Sequence, residues 1–195
     1  MVGYNRRFSK FTHIINENLK GSNRKDLFSN YNINAGKLST DTWHSEAIYS
    51  GGRIIGELCH FIDLLLYIHN SNIIDYNVIS LNSLDKESVN INLNFENGSK
   101  ASINYLTFGN FNTKKENLKI YANNLMIELN DFKKLIIHNG SNNKIYNSFF
   151  QDKGQQNCIN ETINCMVSGK HSPIPFQDIL NSTKLSIDIS QKKIK

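Results

Sequence analysis

The chain has 195 residues, of which 39% are hydrophobic and 20% charged, with a formal net charge of +5. That length suits a single domain with an ample core, and the composition excludes a disordered chain. The cations are scattered in small groups (Arg6-Arg7, Lys114-Lys115, Lys133-Lys134, Lys192-Lys193), without the aromatic-interleaved basic stripe that argues for a nucleic-acid partner.

Residues 1–5 read as the end of a strand. Residues 8–19 read as a short helix, with Ser9 as N-cap and Gly21 beyond its end. Residues 27–34 alternate loosely and end at Ala35-Gly36, which predicts a strand. Residues 37–50 are polar and hold the only Trp, Trp43, in a loop long enough to be functional.

The chain is organised around the stretch from Gly51 to Ile68. It opens on a Gly pair and continues as an amphipathic helix. Ile54, Leu58, Phe61, Ile62 and Leu65 share one face at helical spacing. Gly56, His60, Asp63 and Tyr67 share another, with Glu57 one turn before His60. That second face offers an acid or base, a carboxylate to orient it, and a glycine that leaves room for a ligand. A solvated face would carry the same residue types. No metal site is expected: Cys59 points away from Glu57 and His60 on the wheel, and no second Cys or His pair follows at ligand spacing.

Beyond the helix the period changes from 3.6 to 2. Residues 73–81 predict a strand that pairs with the next one. Residues 89–95 alternate, Asn97-Gly98 turns, and Ala101, Ile103 and Tyr105 alternate in return, which predicts a hairpin. Residues 118–122 and 125–129 flank Asn123-Asn124, and residues 135–138 and 145–150 flank Asn139-Gly140-Ser141. Cys158, Thr162, Cys165 and Met166 space a helix closed by Gly169. Pro173 and Pro175 precede a last helix over 176–189. Helices at the start, middle and end, with strands gathered between, predict an α+β fold. The expected sheet is predominantly antiparallel and open, with helices covering one face only. None of the eleven glycines forms G-x-G-x-x-G after a strand, so this chain alone is expected to bind no nicotinamide cofactor. The three cysteines are odd in number and lack framework spacing, which fits reduced thiols. No apolar run spans a bilayer and no signal-peptide pattern is present. A cytoplasmic protein with no membrane partner is therefore expected.

Several segments then occur in order: Val2-Gly3-Tyr4-Asn5-Arg6-Arg7-Phe8-Ser9, Asn34-Ala35-Gly36, Asp41-Thr42-Trp43, Gly51-Gly52-Arg53-Ile54-Ile55-Gly56-Glu57-Leu58-Cys59-His60-Phe61-Ile62-Asp63-Leu64 and Pro173-Ile174-Pro175-Phe176. Together they resemble the C-terminal domain of the glucose–fructose oxidoreductase, inositol dehydrogenase and MocA family. The subgroup is one sometimes fused behind a zinc alcohol-dehydrogenase-like domain. The resemblance covers nearly the whole chain, the Asn-rich sheet by pattern only. It implies that residues 1–195 are the substrate-binding, catalytic and oligomerisation domain of a longer protein, cut near the domain junction. It further implies a preceding Rossmann domain that binds NAD or NADP, a sugar or cyclitol substrate, and a homo-oligomer. His60 falls on the family's active-site His. The family often has an Asp four positions earlier, where this chain has Gly56, leaving Glu57 as the nearest carboxylate. On this reading His60 and Glu57 are the catalytic candidates, and a His with pKa near the operating pH removes the alcohol proton. Asn34, Trp43, Asp63 and Arg7 are the substrate-binding candidates, and Arg6, at the junction, is the candidate for cofactor contact. The alternative is a non-catalytic sugar-binding or assembly module that uses the open sheet.

Overall fold

The computed structural model describes residues 2–20, 22, 24–37, 52–81, 87–110 and 112–192. Helix α1 (Lys10–Leu19) starts where Ser9 accepts a bond from the Phe11 amide, and it buries Phe11, Ile15 and Leu19 along one face. Strand β1 (Phe28–Asn34) follows a short turn. Helix α2 (Cys59–His69) continues directly from a π-helical turn (Ile54–Leu58) and ends on Asn70, in the left-handed region that suits a helix C-terminus. Seven more strands come next: β2 (Ile73–Ser80), β3 (Val89–Phe95), β4 (Lys100–Leu106), β5 (Glu116–Ala122), β6 (Leu125–Asn130), β7 (Lys134–Asn139) and β8 (Asn142–Asn147). Helices α3 (Gln155–Val167) and α4 (Phe176–Lys192) close the described chain.

The eight strands form one sheet in the order β2-β3-β4-β1-β5-β6-β7-β8. The expected hairpins are all present. The Asn123-Asn124 loop has both residues at positive φ, as a two-residue primed turn requires. The exception to antiparallel pairing is β1, which lies parallel to β4 and antiparallel to β5. The segment from β4 to β5 must therefore cross the end of β1. Asn34 fastens that crossing by donating to the Asn110 carbonyl and the Thr113 hydroxyl, each at 2.7 Å.

Alternation sets the two faces of the sheet. Val89, Ile91, Leu93 and Phe95 of β3, Ile103 and Tyr105 of β4, Tyr31 and Ile33 of β1, and Leu118 and Ile120 of β5 are buried beneath α1, α2 and α4. The opposite face carries asparagine. Asn92 donates to Asn90, Asn90 to Asn104, Asn104 to Asn32 and Asn32 to Asn30, which links the side chains of three adjacent strands.

Two expectations change. Where the sequence predicts the end of a strand over residues 1–5, residues 2–4 join no strand and Asn5–Phe8 form a 3-10 turn. The turn sends Arg6 and Arg7 inward to separate buried carboxylates, Glu116 and Asp63. The central helix is also less amphipathic than its sequence suggests. Leu64 and Leu66 are buried as well as the expected apolar face, because α2 lies between the sheet and α4. A helix wrapped by protein is apolar almost all round. Among the described residues, no helix is long and apolar enough to cross a membrane.

Candidate active site

The π-helical turn before α2 places Arg53, Gly56, Glu57 and His60 on one cleft of about 470 Å³. A π-turn inserts a residue into the helical phase and often marks a functional site. The other lining residues are Gly52 beside Arg53, Asn5 and Arg6 of the 3-10 turn, Ala35 just after β1, Lys115 just before β5, Lys153 before α3 and Gln155 at its start. Gly56 leaves the helix surface bare beside His60.

His60 is partly buried, with the Tyr4 ring edge-on to its imidazole at 5.5 Å. Tyr4 is itself fixed by a 3.0 Å bond between its hydroxyl and that of Thr183 on α4. Among the described residues, the buried Nδ1 of His60 has no partner. Burial, and next the charge of Arg6, push its pKa down to about 4, against the pull of Glu57 and Glu116. The imidazole is therefore neutral at pH 7. Its basicity is lower than the expected value near the operating pH, because the imidazole is largely buried and the charge that acts on it most strongly, Arg6, is cationic.

Glu57 is held by three donors: Lys115, the Tyr105 hydroxyl and, at 3.4 Å, Arg53. Burial alone would raise its carboxyl, but Lys115, Tyr105 and Arg53 outweigh burial and keep it below the usual carboxylate range. Arg53 also donates to the carbonyls of Gly36 at 2.6 Å and Ala35 at 3.0 Å, which ties the helix start to the end of β1.

Beneath the cleft Arg6 grips the buried Glu116 through two bonds of 2.9 and 2.8 Å. Lys153 adds a contact at 2.8 Å, and the Tyr31 hydroxyl a further bond. Burial would raise the Glu116 carboxyl, yet Arg6 and Lys153 bring it down to about 2. The Arg6 guanidinium lies 4.6 Å over the Phe61 ring, and Tyr31 meets the same ring edge-on. The apolar face of α2 thus supports the ion pairs of the cleft.

The candidate residues separate. His60, Glu57 and Arg6 line the cleft together. Asp63 and Arg7 do not: they form a buried pair with bonds of 2.9 and 2.5 Å, and Arg7 also reaches Asp178 of α4 at 3.0 Å. Asp63 is roughly 60° round the helix from His60, which turns it to the flank where Arg7 stands over Tyr67. Asn34 sits at the crossover on the open face of the sheet, outside the cleft. Trp43 lies outside the described residues. Arg53, Lys115, Lys153 and Glu116 were not singled out from the sequence. Arg53 stands inside the central stretch and could have been found there. The other three reach the site from distant strands and loops, with no local signal. Among the described residues, no group of three or more His, Cys, Asp or Glu is placed to hold a metal ion.

The fold is shared with the larger part of several solved oxidoreductases. One is an aldose-aldose oxidoreductase from Caulobacter crescentus complexed with glycerol, with a TM-score of 0.78 at 11% identity, covering 98% of this chain and 62% of that one. Another is the UDP-N-acetylglucosamine 3-dehydrogenase GnnA from Acidithiobacillus ferrooxidans, with a TM-score of 0.77 at 13% identity, covering 97% of this chain and 59% of that one. A third is an oxidoreductase from Agrobacterium radiobacter in complex with NAD+, L-tartaric acid and magnesium, with a TM-score of 0.78 at 13% identity, covering 100% of this chain and 63% of that one. The chain thus spans about 60% of the length of the structures it matches. No protein-family model matches it, and no curated protein matches it.

Proposed function

We propose that this chain is the substrate-binding and catalytic domain of an NAD(P)-dependent oxidoreductase of the glucose–fructose oxidoreductase, inositol dehydrogenase and MocA family. The substrate is a sugar, a sugar derivative or a cyclitol. The observation that carries this reading is His60, neutral and facing an open cleft beside Gly56, in a fold shared with dehydrogenases of sugar substrates. The described residues contain no glycine-rich strand-to-helix turn, so this chain supplies one wall of the reaction site and a Rossmann domain supplies the other.

The nicotinamide, when bound, accepts or returns the hydride. This chain's own residues handle the proton and the placement. Neutral His60 accepts the hydroxyl proton of a substrate lying in the cleft. Glu57, fixed as an anion by its three donors, favours the resulting imidazolium electrostatically. Gly56 leaves room for the sugar ring, and Arg6 and Lys115 meet polar groups at its edge. The asparagine face of the sheet is the surface through which two copies associate, as a flat self-complementary face permits.

The test is a titration of the isolated chain with myo-inositol, glucose and glucuronate, following the His60 imidazole by NMR. A bound ligand shifts that resonance, and His60→Gln removes the response. The same chain is expected to bind neither NADH nor NADPH appreciably in calorimetry, whereas protein that also carries a cofactor domain turns substrate over. Ligand binding that leaves the His60 resonance unmoved contradicts the assignment.

A further inference from the structure

Resting on the reading of this cleft as the substrate site, we infer that it is built for an anionic substrate, a sugar acid or sugar phosphate whose oxyanion sits among Arg6, Arg53, Lys115 and Lys153. Among the described residues, four cations line the cleft and one carboxylate, Glu57, lines it with them. The buried Glu116 behind Arg6 and Lys153 is the second counter-charge. Each carboxylate is shared by two cations: Glu116 by Arg6 and Lys153, Glu57 by Arg53 and Lys115. Two positive charges are left over in this group. Glu87, which accepts from the Arg53 amide at 3.3 Å on the rim, reduces the surplus to one without removing it.

A surplus cation on an open surface is simply hydrated. Here the side chains of Arg6, Arg53 and Lys153 are only 8%, 6% and 16% exposed, where water screens poorly and an oxyanion is attracted more strongly. The two carboxylates leave little room for the remaining donors: Glu116 meets four contacts and Glu57 three. Both oxygens of Glu116 already accept from Arg6, with Lys153 and Tyr31 added, and both oxygens of Glu57 are occupied. Each ammonium group contacts one carboxylate oxygen and has N–H donors to spare. Among the described residues, the buried Arg53 Nε has no partner. A carboxylate or phosphate would satisfy these donors, whereas a neutral hydroxyl would not neutralise the charge. The cleft, about 470 Å³, is of monosaccharide size. The substrate anion also has a chemical consequence. Arg6 and Lys115 both hold His60 in its neutral form, so an anion set against them raises the proton affinity of His60 and improves it as a base.

Calorimetric titration of the chain with glucose, glucuronate, glucose 6-phosphate, inorganic phosphate and NADH tests this, at two ionic strengths. Glucuronate or glucose 6-phosphate should bind at least about tenfold more tightly than glucose, with the advantage shrinking at high salt. Lys115→Gln and, separately, Lys153→Gln should weaken the acid about five- to tenfold and weaken glucose clearly less, in variants that circular dichroism shows to be folded. The His60 imidazole should titrate at higher pH with the acid bound. Glucose binding within twofold of its acid, or no binding of either acid, overturns the inference. Inorganic phosphate matching the sugar acids assigns the site to an anion alone, and NADH matching them assigns it to the cofactor's phosphates; either overturns a substrate anion. An anion preference without turnover in protein carrying a cofactor domain would instead sink the oxidoreductase reading and leave the anion site standing.

Discussion

At the scale of single residues, the proposed function divides the cleft into His60, which would take the proton, and the ion pairs that hold the groups around it. Because the free imidazole of His60 has a pKa lowered to about 4, kcat/KM should stay flat from pH 8 down to about 5 before its acid limb begins. A limb near 6.5 in that profile would mean that His60 is not the essential base, or is not buried as described. His69 carries a different pH effect. It is buried between the hydroxyls of Ser99 at 2.7 Å and Ser29 at 2.9 Å, stacked on Phe95, and burial pushes its pKa down to about 3. A folded-state pKa below the unfolded value favours the neutral form, so His69 stabilises the fold fully above about pH 6.5. That stabilisation, on the order of a few kcal/mol, is lost as the pH falls from 6.5 towards 3. Asp63 runs the other way, since burial raises it to about 6 despite Arg7. The effect is therefore read as a difference. Urea unfolding at pH 7 and pH 5 should show a smaller loss for His69→Gln than for the parent chain, and equal losses would contradict the assignment. Glu116→Gln removes the charge that compensates two buried cations. It should cost about 3 kcal/mol or more, as breaking a buried ion pair does, and a cost below about 1 kcal/mol in the same assay would show that the pair is solvated.

At the scale of elements, the joint between the 3-10 turn and α3 decides where Arg6 and Lys153 stand. Gly154, the N-cap of α3, has φ 81°, and a Cβ there would lie 2.4 Å from the Asn5 carbonyl oxygen and 2.5 Å from the Ser9 amide. Both are backbone atoms and cannot swing aside. Gly154→Ala should therefore destabilise by roughly 2 kcal/mol or more, lowering the melting temperature measurably, whereas Gly140→Ala meets no neighbour and bears only the strain of its own positive φ. Much of this level was legible in the sequence. Asn97-Gly98 and Asn123-Asn124 mark their hairpins because short turns need residues that tolerate positive φ, and the alternation of 89–95 assigns the faces of β3 without knowledge of its neighbours. The rest was not legible because its causes are distant. Nothing local tells β1 to insert between β4 and β5, and the partner that turns Arg6 inward is 110 residues away. The central helix could be placed, but wheel geometry alone could not say that α4 would cover Asp63 and leave His60 open.

At the scale of the molecule, the sheet presents one face to its helices and leaves the other to asparagine. That face is polar and, over β3, β4 and β1, linked from strand to strand by asparagine side-chain bonds, so that part of it can meet a copy of itself through amides rather than charges. Sedimentation should show a dimer at high micromolar concentration. Asn104→Lys, in the middle of the row, should return it to monomer, and a parent chain that stays monomeric would rule out association through the sheet. The central claim is that the cleft at the start of α2 is where a sugar hydroxyl gives up its proton, to His60. The most direct measurement is the turnover of His60→Gln in protein that carries the cofactor domain. Turnover should fall roughly 10²- to 10⁴-fold, the range for loss of a general base, with cofactor affinity nearly unchanged. Turnover within a few-fold of the parent across pH 5 to 8 would contradict it.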